Sequence, residues 1–155
     1  MVKKSLLFAL VLLGAMGLGA VLAEHHAAEH DVVLPAKISK EDVTGRIFER
    51  PDTVTRTRGG NTIQDVTSLL SSDRKFASGM YKSGKVRFEA TEPYGVDEFM
   101  YFVEGGVRLT SADGSVLEVN AGEAVTIPKE WTGVWNTDGY TKIWVIYSED
   151  GSGLE

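Results

Sequence analysis

The side chains best suited to chemistry are scarce in this 155-residue chain and unevenly placed. All three histidines, His25, His26 and His30, lie near the N-terminus, and there is no cysteine. A Ser-His-Asp triad is therefore excluded from the chain beyond residue 30, and thiol nucleophiles, thiolate metal ligands and disulfides are excluded throughout. If the chain were cut before Glu24, His26 would become the third residue. A free amine, two amides and an imidazole can wrap Cu(II) or Ni(II) in a square plane, which makes Glu24, His25 and His26 a candidate metal site. The plainer reading of the same residues is a mobile polar leader.

Charge and aromaticity supply the other candidates. Lys85, Arg87 and Glu89 alternate with Val86, Phe88 and Ala90, so one face of that segment is charged and the other apolar. The usual meaning is a solvated outer face. If the charged face instead looked inward, Arg87 would be a carboxylate clamp with a planar fork of donors. Trp131, Trp135 and Trp144, with Tyr94, Tyr101 and Tyr147, are many large rings for a small domain. Trp144, Phe99 and Phe102 are read as core filling.

The elements that must position these groups are strands. Short apolar or alternating runs occupy 76–81, 86–90, 99–103, 107–110, 116–119, 124–127, 134–136 and 141–147. Ser83-Gly84, Gly105-Gly106, Asp113-Gly114, Gly122, Pro128 and Asp138-Gly139 separate them. Each Asp-Gly pair predicts a tight hairpin, because a type I′ turn needs positive φ at both central positions. Only 63–70 suggests a helix, with Ile63, Val66 and Leu70 on one side. The segment from Gly45 to Ser72 is expected to give an edge strand and irregular cover.

The N-terminus reads as an export signal. Lys3 and Lys4 precede an uncharged run from Ser5 to Ala23, and Val21 and Ala23 are small residues where a signal peptidase reads. Cleavage before Glu24 would leave 132 residues carrying 14 basic against 22 acidic side chains. The rival reading is an uncleaved anchor, since the run just reaches spanning length. Gly14, Gly17 and Gly19 weaken it as a helix. After cleavage no membrane span remains, and the acidic balance excludes a phosphate-binding surface for nucleic acid. The expected organisation is a signal over 1–23, a tether over 24–40 and one domain over 41–155.

Asp97-Glu98-Phe99-Met100-Tyr101-Phe102-Val103-Glu104-Gly105 resembles the end of the first cupin motif. Gly122-Glu123-Ala124-Val125-Thr126-Ile127-Pro128 resembles the second. Gly84-Lys85-Val86-Arg87, Trp131-Thr132-Gly133-Val134-Trp135 and Lys142-Ile143-Trp144-Val145-Ile146 are similar to one single-module branch. That branch is akin to (S)-ureidoglycine aminohydrolase and to the ethanolamine-utilisation cupin. The likeness covers about residues 79–147 and implies an all-β, single-domain cupin, a double-stranded β-helix or jelly-roll barrel with a pocket at one mouth.

Departures from that pattern bear on the chemistry. Metal-binding cupins carry His-x-His before the glutamate and a further His after the proline turn. Glu92, Tyr94 and Gly133 stand nearest those places here, leaving Glu98 from the four-ligand set. No cofactor is expected. A harder divalent ion such as Mn or Mg on Glu92 and Glu98 is the alternative. Glu98 is either a buried carboxylate held by a Tyr or a Lys, or a ligand-binding acid or base. The resemblance also places Trp131 and Trp135 at the barrel mouth, walling a small-molecule pocket with Glu98, Tyr94, Arg87 and Met100.

The reading that follows is an exported protein, non-enzymatic on balance, that binds a small polar or carboxylated molecule and pairs with a second copy through exposed sheet. A metal-dependent aminohydrolase-like enzyme and a filled, purely structural barrel are the alternatives. A cavity above about 300 Å³ would argue against the filled barrel.

Overall fold

The computed structural model describes residues 32–154. The predicted signal, the three histidines and the Glu24 site therefore lie outside the described residues. No helix among the described residues is long and apolar enough to cross a membrane.

Regular structure begins with a short helix, α1 (Lys40–Val43), started by a reciprocal cap. The Asp42 amide donates to the Ser39 hydroxyl at 3.1 Å, and the Ser39 amide donates to the Asp42 carboxylate at 2.8 Å. A 3₁₀ turn, Arg46–Glu49, follows. Eight strands come next: β1 (Val54–Arg58), β2 (Asn61–Leu70), β3 (Phe76–Ser83), β4 (Val86–Ala90), β5 (Asp97–Ser111), β6 (Val116–Asn120), β7 (Ala124–Ile127) and β8 (Gly133–Tyr147).

The two fifteen-residue strands, β5 and β8, pair antiparallel along most of their length and form the spine. At one end β7 flanks Glu98–Tyr101 of β5, while β3, β2 and the edge strand β1 extend the sheet from Tyr140–Tyr147 of β8. At the other end β6 flanks Gly106–Thr110 of β5, and β4 flanks Gly133–Thr137 of β8. Each spine strand thus has different neighbours at its two ends within one eight-stranded sheet, which is how a jelly-roll closes on itself.

Four of the sequence-predicted runs merge into the spine. Gly105-Gly106 and Asp138-Gly139 do not end strands; they face each other where β5 and β8 bend, with register shifts on either side. Gly105 has φ 66°, and a Cβ there would stand 2.0 Å from the Gly139 carbonyl oxygen. Glycine is required because two backbones meet at that point. The Asp138-Gly139 hairpin is accordingly corrected to a bend. Asp113-Gly114 is a hairpin, joining β5 to β6 with Gly114 at φ 84°.

The predicted helix over 63–70 is also corrected, to strand β2. Both faces of β2 are covered, so strict alternation does not show. Asp65 and Thr67 face the barrel interior. Val66 packs on the opposite side, with Met80 and Ile47 of the 3₁₀ turn. A bulge between Thr67 and Leu69 shifts the phase further. Inside the barrel, the part under β5, β6 and β7 is filled by Met100, Phe102, Val107, Leu109, Val119 and Ile127, packed with Trp135 and Tyr140.

Candidate functional site

The rest of the interior is open. A cavity of about 270 Å³ is bounded by β2, β3, β4, β5 and β8, with Gly153 and Leu154 at its rim. Three neighbouring strands bring one row of side chains to it, because Asp65 pairs with Tyr81 and Tyr81 with Lys142. The next row is Thr67, Gly79 and Trp144. Gly79 has no side chain, and a Cβ there would fall 2.7 Å from the Trp144 ring. The Val66 carbonyl oxygen would stand nearer still, at 2.0 Å, so glycine there admits both the β2 backbone and the indole.

Glu98 enters from β5 and is 3% exposed; Lys142 enters from β8 and is 5% exposed. The Lys142 ammonium donates to Glu98 Oε1 at 2.7 Å, and the Tyr94 hydroxyl donates to Glu98 Oε2 at 2.5 Å. Lys142 Nζ also lies 2.9 Å from Met100 Sδ. The ring centroids of Tyr81 and Trp135 are each 5.5 Å from it, and that of Tyr140 is 5.8 Å away. Desolvation of these two charges is offset by their contact, the phenol and the ring faces. This is the buried carboxylate held by a Tyr and a Lys, one of the two sequence readings of Glu98.

The phenols stay protonated donors. Burial pushes Tyr94, Tyr140 and Tyr81 above the usual tyrosine range, with Glu98 adding to the rise at Tyr94 and Asp65 adding to it at Tyr81. Burial also raises the Asp65 carboxyl, and the nearby charge of Glu98 pushes the same way. The Trp144 indole N–H and Lys142 offset part of that rise. Trp144 does not complete a well-formed hydrogen bond with it. Asp65 Oδ1 and the indole nitrogens of Trp135 and Trp144 are buried with no hydrogen-bond partner among the described residues.

Of the residues singled out from sequence, Glu98, Tyr94 and Trp135 line the cavity. Met100 lies just behind, packed in the filled part of the barrel and touching Lys142. Trp131 is placed elsewhere: its indole donates to Ser111 Oγ at 3.2 Å and its ring packs edge-on to Tyr94. It supports a cavity residue and does not wall the cavity, whereas Trp144, read as core filling, does; Phe99, read the same way, is corrected to an exposed ring on β5. Arg87 is exposed, which corrects the inward clamp. Its neighbour Phe88 takes the inner side of β4 and stacks on Trp135 at 5.9 Å.

Asp65, Lys142, Tyr81 and Tyr140 were missed as site residues. Tyr140-x-Lys142-x-Trp144 was the available signal, a cation at strand period between two rings.

The barrel donor set does not suit a metal. Glu92 is exposed in the loop after β4 and lies outside the cavity lining, and Gly133 offers no side chain. Glu98 has an ammonium on one oxygen and a phenol on the other, so a cation arriving there meets a like charge. No cluster of three or more His, Cys, Asp or Glu side chains with metal-holding geometry occurs among the described residues.

Residues 70–142 match the EutQ-like cupin domain. Among solved structures the chain is similar to the EutQ protein of Clostridium difficile, at 20% identity and a TM-score of 0.51, over 64% of this chain and 78% of that one. It is also similar to a protein of unknown function from Pseudomonas syringae pv. tomato, at 17% identity and a TM-score of 0.56, over 61% of this chain and 43% of that one. A third likeness is to ectoine synthase from P. lautus, at 14% identity and a TM-score of 0.52, over 66% and 72% of the two chains. Likeness at these identities carries the fold alone. No curated protein sequence matches the chain. With its bent two-strand spine and half-filled barrel, the chain has the cupin fold, and residues 70–142 correspond to the EutQ-like cupin domain.

Proposed function

We propose that this is an exported cupin-fold protein that binds a small polar molecule in its barrel without a tightly held metal there. The observation that carries the reading is the cavity: about 270 Å³ of space lined by aromatic rings, two carboxyl groups, Asp65 and Glu98, and the Lys142 ammonium. That volume falls just below the value set from sequence. A barrel meant only to be packed would have filled it with apolar side chains, since buried polar atoms without partners cost stability. Asp65 Oδ1 and Trp135 Nε1 are such atoms, and ordered water or a side-chain shift on binding would satisfy them.

A carboxylated ligand loses its support with Arg87 at the surface. The enzymatic alternative resembling (S)-ureidoglycine aminohydrolase needs a barrel metal, and the donors around Glu98 do not support one. Export rests on the leader sequence, and self-association on the exposed Phe76, Phe99, Tyr101 and Tyr147.

Native mass spectrometry of protein recovered from its host tests these points together. The expected spectrum begins at Glu24 and carries a non-covalent small-molecule adduct, in dimers. Unliganded protein at every collision energy would sink the binding reading, and a mass retaining residues 1–23 would sink cleavage.

A further inference from the structure

We propose that the barrel cavity is selective for a compact organic cation, an ammonium-type group seated at Asp65 beside the aromatic wall. The inference rests on the ligand-binding reading above and adds the chemical class. It follows from counting how the charges around the cavity are used. Glu98 has both oxygens engaged, one by Lys142 and one by Tyr94. Lys142 is the basic residue lining the cavity, and its ammonium is held by Glu98. What is left over is one carboxylate, Asp65, which lines the cavity and forms no ion pair among the described residues.

Each ligand charge then meets a different response. An anion would face Asp65 and Glu98 across a space whose lining ammonium is already paired, so like charges would oppose it. A neutral molecule could donate to Asp65 but would leave its charge buried without a counter-charge. A cation neutralises it, and the surrounding rings present faces that attract positive charge. The same wall already accommodates a cation, with the Lys142 ammonium 5.5–5.8 Å from three ring centroids. Tyr81, on β3 between Lys142 and Asp65, and Trp144, two residues along β8 from Lys142, offer rings to a second. Burial raises the Asp65 carboxyl even against the pull of Lys142 and Arg56, so neither cation neutralises it fully.

The test is a charge series of matched size, propylammonium, propanol and propionate, titrated into the mature protein at low salt. Calorimetry and tryptophan fluorescence read binding, the latter because Trp135 and Trp144 line the cavity. Propylammonium is expected to bind, propionate to fail, and propanol to bind roughly tenfold or more weakly than the cation. Asp65→Asn, with its fold checked by thermal melt, is expected to remove that preference. Propionate or propanol binding as well as propylammonium would overturn the cation proposal and leave the ligand-binding reading standing. So would a cation preference that survives Asp65→Asn. Silence from all three probes at tens of millimolar would overturn both.

Discussion

Replacing Lys142 by methionine removes the ammonium from a contact in which both partners are almost wholly buried, with side-chain exposures of 7% and 5%. Methionine keeps the length and apolar stem, so the loss is mainly of charge. Glu98 is then left buried with only the Tyr94 hydroxyl. Stranding one member of a buried ion pair costs about 3–5 kcal/mol. For a domain of this length that is a fall in Tm of roughly 10–20 °C. The pair itself is worth much less than this, because both charges were desolvated to form it. The double variant Glu98→Gln/Lys142→Met should therefore recover to within about 1–2 kcal/mol of the parent. Urea denaturation of the parent, the two single variants and the double variant gives the coupling energy directly. A Lys142→Met cost below about 1 kcal/mol, or singles that simply add, would show that the pair is solvated and would refute the charge accounting of the cavity.

Other expectations follow from single contacts. Tyr94→Phe removes a hydrogen bond to a buried carboxylate and should cost about 1.5–3 kcal/mol in the same denaturation assay. Asp65→Asn should raise Tm near neutral pH. Folding raises the Asp65 pKa, so its penalty is absent below the unfolded value of 3.8, grows as pH rises towards the folded value, and is complete above it. The gain should vanish in melts run below that window. Gly105→Ala should cost several kcal/mol or abolish folding, since its Cβ would collide with the Gly139 carbonyl at a backbone angle that favours glycine. Copper titration of protein beginning at Glu24 should give a visible d–d band that His26→Ala removes, and an unchanged titration would eliminate the N-terminal site.

Much of the fold was legible because strand ends coincide with turn residues. β4 and β7 run over the predicted residues, and the Asp113-Gly114 hairpin forms where expected, though only Gly114 takes positive φ, so the turn is not type I′. The misreadings share one cause, which is that local signals do not report what lies across the sheet. Gly105-Gly106 and Asp138-Gly139 are turn sequences used for a bend because each sits opposite the other. Ile63, Val66 and Leu70 have helical spacing because β2 is covered on both faces.

The site follows the same rule. Glu98 and Tyr94 stand four positions apart and belong to one motif, so sequence could associate them. Asp65 and Lys142 are 77 positions apart and share the cavity only through the β2–β3–β8 register. A helix over 63–70 would give Asp65 no place in the sheet, whereas strand β2 turns it inward. Arg87 failed for a different reason, since alternation shows that one face of β4 is charged and cannot say which face is inside.

The most direct test of the account is a crystal structure at high resolution of protein purified from its host without chelator. Organic density is expected in the cavity against Asp65, with Lys142 and Tyr94 still on Glu98 and no anomalous scatterer at that carboxylate. Side chains closing the space, or a metal ion coordinated by Glu98, would contradict it.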